Sequence, residues 1–373
     1  MPFLNFTPDA RSAALGDAGV ASSADANAIF WNPAKLVYAA KHHGGALSFN
    51  PWLRNITDDM YYANLSLYTK PGKNQALGLS VLYFDMGTID FTTPTGQPAG
   101  TASSREYALT ASYSRQLFTN FSMGVNMRYA NSNLASGYTG TGAAPLKPAS
   151  NIMADISAYY ENEARDEISG RGVKWAFGGM ISNIGGKVNY GTTNPYFLPT
   201  NLRLGTTLTY YSDKYSKFNF LVDLNKLMVP TPPEYQTVNG VPVLGPNGSP
   251  IILRGRDPQT QTALGGMFGS FGDAPDGFGE ELREINLSTG VEYWYNDQFA
   301  ARLGYFHQPR DKGDLKYITT GFGLRLQQKY GLDFAYLLPI RSQSPLAQTF
   351  RITLVFGLDK KERIADDIDE TEN

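Results

Sequence analysis

His42 and His43 are adjacent, His307 lies far downstream, and cysteine is absent; the chain offers nothing more for soft or borderline metal chemistry. A zinc or redox-metal site needs three or four such ligands converging, and thiol catalysis needs cysteine. The sequence therefore predicts no metal site and no cofactor. Acyl and phosphoryl transfer have no better footing. No serine is flanked as Gly-x-Ser-x-Gly, no Gly-x-x-x-x-Gly-Lys loop is there to cradle phosphate, and His-Glu-x-x-His does not occur. The expectation is a protein that is not an enzyme. A formal net charge of −2 gives no basic field for nucleic acid.

The charged residues with a positional pattern are Arg128, Asp155, Arg203, Asp223, Glu292, Arg302, Arg325, Asp333 and Arg351. Each sits in the polar phase of a segment whose residues alternate between apolar and polar. Charges that face an enclosed space must be paired. Mutual ion pairs, and contacts to whatever fills that space, are thus expected; a selectivity role is the competing reading.

The alternating segments set the architecture. Phe121, Met123, Val125, Met127 and Tyr129 interleave with Ser122, Gly124, Asn126 and Arg128; Phe350, Ile352, Leu354, Phe356 and Leu358 interleave with Thr349, Arg351, Thr353, Val355 and Gly357. Period-two patterning over about ten residues is that of a tilted strand with one face to lipid and one to a lumen. Mean hydropathy is −0.30, and no run approaches the roughly 20 apolar residues of a spanning helix. Tyr (23) and Phe (21) far outnumber Trp (4), as in a chain of many strands edged by aromatics.

The template predicts strands at 44–50, 60–69, 75–86, 104–117, 121–131, 151–161, 173–182, 201–212, 218–226, 285–295, 299–307, 315–327, 330–338 and 348–358. The fold class is all-β: a transmembrane, antiparallel, up-and-down β-barrel of about 14 strands. Connections alternate long and short, with long ones near 87–103, 132–150, 183–200 and 227–284. Outer-membrane barrels have short periplasmic turns and long outer loops, and an even strand number puts both ends in the periplasm.

Residues 1–43 read differently. Thr7-Pro8-Asp9 and Asn32-Pro33 each start a short helix, the second beside Phe30 and Trp31. Phe30, Trp31, Asn32 and Pro33 mark a plug expected in the periplasmic half of the lumen. The barrel then spans 44–358, and 359–373 is an acidic periplasmic tail. No apolar leader follows Met1-Pro2-Phe3, so an exported form would be numbered after processing. Loop 227–284 opens on Met228 and a proline cluster and carries Phe268, Phe271 and Phe278. A connection that long points to a lid or a binding surface. The three rings and Met228 are the candidate partner-binding residues.

The string Asp9-Ala10-Arg11-Ser12-Ala13-Ala14-Leu15-Gly16-Asp17-Ala18-Gly19-Val20-Ala21, with Ser23-Ala24-Asp25 and Phe30-Trp31-Asn32-Pro33-Ala34-Lys35, resembles the opening of the PorV family, outer-membrane proteins of the type IX secretion system. That family is related to the fourteen-stranded FadL-type transporters of hydrophobic compounds. The resemblance implies association with an SprA-type translocon barrel and covering of its lateral opening. It also implies acceptance of secreted cargo through the cargo's C-terminal domain, delivery to the cell-surface attachment complex, and outer-membrane lipid around the barrel. The alternative it leaves is passive FadL-like transport of a hydrophobic small molecule.

Overall fold

The structure, a computed structural model, describes residues 1–54, 57–93, 95–136, 146–246, 248–340 and 349–359. The acidic tail beyond Asp359 lies outside the described residues. Fourteen strands close a barrel: β1 (His43–Pro51), β2 (Tyr61–Gly72), β3 (Gln75–Thr92), β4 (Pro98–Phe118), β5 (Phe121–Ser136), β6 (Ala149–Arg165), β7 (Gly172–Gly185), β8 (Asn201–Tyr211) and β9 (Ser216–Leu227), then β14 (Ile285–Tyr295), β15 (Phe299–His307), β16 (Lys316–Leu326), β17 (Tyr330–Pro339) and β18 (Phe350–Leu358). Every neighbour is antiparallel, and β1 closes the ring on β18 from His43 opposite Leu358 to Phe49 opposite Ile352. The short strands β10 (Glu234–Tyr235), β11 (Thr237–Val238), β12 (Val241–Pro242) and β13 (Ile252–Arg254) form two small ladders within the long loop.

Side chains follow the predicted alternation. Leu77, Leu79 and Val81 on β3 and Leu354 on β18 are exposed on the outer wall. Arg351 on β18 turns inward to the carbonyl of Thr7. Among the described residues no helix is long and apolar enough to cross a membrane; the strands make that crossing.

The chain before β1 occupies the lumen. All but a few of residues 1–39 are buried. Asp9, rather than Thr7, caps helix α1 (Ala10–Ala13), accepting from the Ser12 amide at 2.8 Å. Helix α2 (Ala28–Trp31) leads into a 3-10 turn over Pro33–Tyr38, which Asn32 caps by accepting from the Ala34 amide. The plug is not confined to one half of the lumen. At the long-loop end the Met1 amine donates to the Tyr190 hydroxyl and the Phe6 ring stacks on Trp52 at 4.7 Å. At the short-turn end Lys70 Nζ donates to the Ala39 carbonyl. His43 and Leu358, the two ends of the barrel wall, lie at the short-turn end, whereas Met1 lies at the opposite mouth.

Candidate functional site

Wall and plug meet through the inward charges. Arg11 of the plug grips Glu292 with two hydrogen bonds of 2.9 Å each, Arg302 adds a third, and Asn219 a fourth. Arg302 also reaches Asp333 at 2.8 Å, which Arg325 holds from the other side. Further round the wall, Asp155 takes Arg128, Asn126 and the Asn183 amide. Asp223 accepts the plug's Gly19 and Val20 amides at 2.7 and 2.8 Å. Arg203 lies over the Phe30 and Trp31 rings, 4.7 and 5.1 Å from their centroids, and donates to the Phe30 carbonyl. Interior charge thus pairs partly with the plug and partly across the wall itself.

The four plug residues named from sequence converge here. Trp31 Nε1 donates to Asp9 at 2.7 Å, and Asn32 Nδ2 donates to the Val20 and Ala158 carbonyls. Pro33 and Phe30 are buried beside them. Close approach is allowed by glycine: a Cβ on Gly304 of β15 would overlap the Gly16 amide nitrogen, and Gly16 itself has φ +68°.

Above the plug a cavity of about 460 Å³ opens under the long loop. Phe6, Trp31, Trp52 and Tyr317 give it apolar walls, while Asp17, Arg203, Glu284, Lys312 and Arg351 put charge around them. The loop roofs it with Val229 to Pro232. The loop then folds back over the rim as helices α3 (Ala263–Gly269) and α4 (Phe278–Arg283).

A clasp of charges fixes this fold-back. Lys226, near the end of β9, binds Glu281 at 3.0 Å and Glu284 at 2.6 Å. Lys312, from the connection between β15 and β16, binds Glu280 at 2.5 Å and Glu284 at 2.9 Å. Glu281 also accepts the amides of Asp273 and Ala274. Burial pushes the Glu284 carboxyl up, but hydrogen bonds from Lys226, Lys312 and Thr231 outweigh it and hold the group below the usual carboxylate range. Glu280 is lowered in the same way, against its own burial, by Lys312 and the Asp276 amide. Burial lowers Lys312, but its two carboxylates more than reverse that and raise it.

The four loop residues named from sequence are not brought together. Met228 is only 2% exposed, its amide bonded to the Thr200 carbonyl, so it is core and unavailable to a partner. Phe268 is 65% exposed on α3, whereas Phe271 (46%) and Phe278 (76%) lie lower, beside outward leucines of β8 and β9. Sequence reading missed the loop tip, where Val238, Val241, Leu244 and Leu253 are all about 60% or more exposed. Their signal was the apolar residues beside Gly240, Pro242, Gly245 and Pro250, which hydrophobic periodicity does not register.

The sequence model of the family described as "Type IX secretion system protein PorV" matches residues 1–234, more than half of the chain. The chain belongs to the PorV family. Solved structures agree on the fold. The Pseudomonas putida toluene transporter TodX is 14% identical with a TM-score of 0.51, over 92% of this chain and 95% of that one. The monoaromatic hydrocarbon channel CymD is 11% identical with a TM-score of 0.51, over 95% and 98%. No curated protein matches the sequence. Membership makes this PorV-family chain an outer-membrane β-barrel of the type IX secretion system.

Proposed function

We propose that this PorV-family protein is a non-enzymatic docking component. It binds an SprA-type translocon barrel and covers its lateral opening. It accepts secreted cargo by the cargo's C-terminal domain and passes it to the cell-surface attachment complex. One observation carries the reading: the lumen is filled from end to end by residues 1–39, while the long loop turns Phe268 and the Val238–Leu253 tip away from the barrel. A blocked lumen with apolar side chains held outward suits a surface on which proteins meet. In the orientation proposed, the short turns face the periplasm, and the loop, the cavity and Met1 face the cell exterior.

The test is to replace residues 229–283 with a Gly/Ser bridge and follow secretion of type IX cargo and co-purification of the translocon. Heat-modifiable migration on a gel reports the intact barrel. Loss of secretion and of the translocon from a folded barrel is the expected result; normal secretion and binding overturn the docking role. The 460 Å³ cavity favours a second reading, passive transport of a hydrophobic compound such as the monoaromatics named for TodX and CymD. Its five charged lining groups oppose that reading, because a hydrocarbon there strips water from them and returns no hydrogen bonds. Toluene uptake lost with the loop while secretion continues would establish transport instead.

A further inference from the structure

Lys226 has the wrong phase for its surroundings. Phe220, Val222 and Leu224 alternate outward along β9, and Lys226 continues that outward series into the lipid-facing wall. It is nevertheless buried, because α4 lies across it on the outside of the barrel with Glu281 and Glu284. The fold-back is therefore a flap on the outer wall rather than a lid over the mouth. Between flap and wall runs a groove of about 180 Å³, with Leu202, Leu204 and Leu224 on the wall side and Phe271, Phe278 and Leu282 on the flap side. Its charged floor, Lys226 with Glu281, is internally paired and offers nothing to a polar ligand.

The aromatic belt gives a second, independent observation. At the long-loop end of β1 to β5 the outward positions carry Phe49, Tyr61, Tyr83, Tyr107 and Tyr129. Ring centroids are 5.7 Å apart for Phe49–Tyr61, 5.9 Å for Tyr61–Tyr83 and 6.3 Å for Tyr107–Tyr129. Such a band marks the level where headgroups meet acyl chains. The band stops at β6: Ile152, which faces Tyr129, is aliphatic, and the outward residues at this end of β8, β9 and β14 are Leu202, Leu224, Lys226 and Ile285. Phe271 and Phe278 stand over that stretch. The flap supplies the aromatics that the strands lack.

We propose that the flap is an interfacial element seated in the outer leaflet, and that the groove beneath Phe271 and Phe278 takes an acyl chain of a membrane lipid. The occupant follows from continuity: Leu204 and Leu224 belong to the wall that hydrocarbon already covers, and the groove deepens that same surface. The chain has no native cysteine, so single labels are clean. The purified full-length protein carrying Phe278→Cys, and separately Phe271→Cys, is spin-labelled and reconstituted in phosphatidylcholine vesicles. Val238→Cys at the loop tip is the aqueous control, and gel mobility reports folding. Labels at 278 and 271 should collide more with oxygen than with a polar nickel chelate, the reverse of the label at 238, and acyl-chain spin probes should broaden their signals. Water-like accessibility at both positions overturns the proposal. So does a label that is aqueous in lipid alone and immobilised only when the translocon is added, which would make the groove a protein contact.

Discussion

Plug and long loop are both irregular chain against the same barrel, yet they are held in opposite ways. The plug is enclosed on every side and tied by ion pairs that water does not reach, with Arg11 and Arg302 sharing Glu292. The loop is held at one edge by a clasp that is buried at Lys226 and more open at Lys312, and much of the rest stays exposed. Identical charge types therefore carry different weight. A fully enclosed pair that loses one member leaves its partner uncompensated, whereas the clasp's outer pair, Lys312 with Glu280, stands nearer to water and is better screened. The plug is built as part of the wall, and the loop as something that can respond.

The largest expected effect comes from breaking the enclosed side. Glu292→Leu takes from two guanidinium groups the carboxylate they share, leaving Arg11 with Asp25 and Arg302 with Asp333, and should cost about 3–5 kcal/mol. Urea unfolding in detergent micelles checks it, and a change within experimental error would mean that the plug rehydrates freely. Next is contact without charge: Gly304→Ala drives a methyl into the Gly16 backbone and should cost about 1–3 kcal/mol by overpacking. The same unfolding assay should rank it below Glu292→Leu.

The clasp should respond to pH. Glu280 and Glu284 sit below the usual range, so their contribution is complete above the unfolded carboxylate pKa of about 4.3 and fades as pH falls through their lower folded values. Lys312 is raised, so its contribution is complete below the unfolded lysine pKa of about 10.4 and fades as pH climbs past it. Hydrogen-exchange protection across 263–284, corrected for the intrinsic pH dependence of amide exchange, should be greatest between those limits and fall in acid. Protection that does not change with pH would mean that the clasp does not hold the loop. The smallest effect belongs to the tip. Val241→Asp should move stability by no more than about 0.5 kcal/mol, as for a surface site, yet weaken translocon capture in a pull-down.

All fourteen wall strands were legible because lipid imposes a period of two, and β14 and β15 match the predicted spans to the residue. The strands β3 to β6 run past prediction at the long-loop end, to Thr92, from Pro98, to Ser136 and from Ala149. Beyond the membrane no lipid demands alternation, so backbone pairing continues unsigned. The inward charges were legible for the same reason as the strands. The plug's reach was not, because its contacts are largely backbone groups, such as the amides of Gly19 and Val20 on Asp223, and these leave little mark on residue type. Met228 failed as a surface residue because composition gives no burial. Phe271 and Phe278 needed the fold-back, set by charges brought together from Lys226, α4 and Lys312, before their position meant anything.

The closing seam sets a sequence of events in time. β1 and β18, the first and last barrel strands, pair only when the whole chain is present. By then the segment before β1 must already lie inside, since a ring once shut has no side through which residues 1–39 can be threaded with their ion pairs intact. That segment touches two widely separated parts of the unclosed sheet: α1 packs on β16, β17 and β18, and the turn at Pro33–Tyr38 on β3 to β6. It can therefore serve as a mandrel, the form around which the sheet is rolled. On this view Arg11→Ala should slow the appearance of the heat-modifiable band during refolding more than it speeds its loss, because the residue acts while the cylinder is still open.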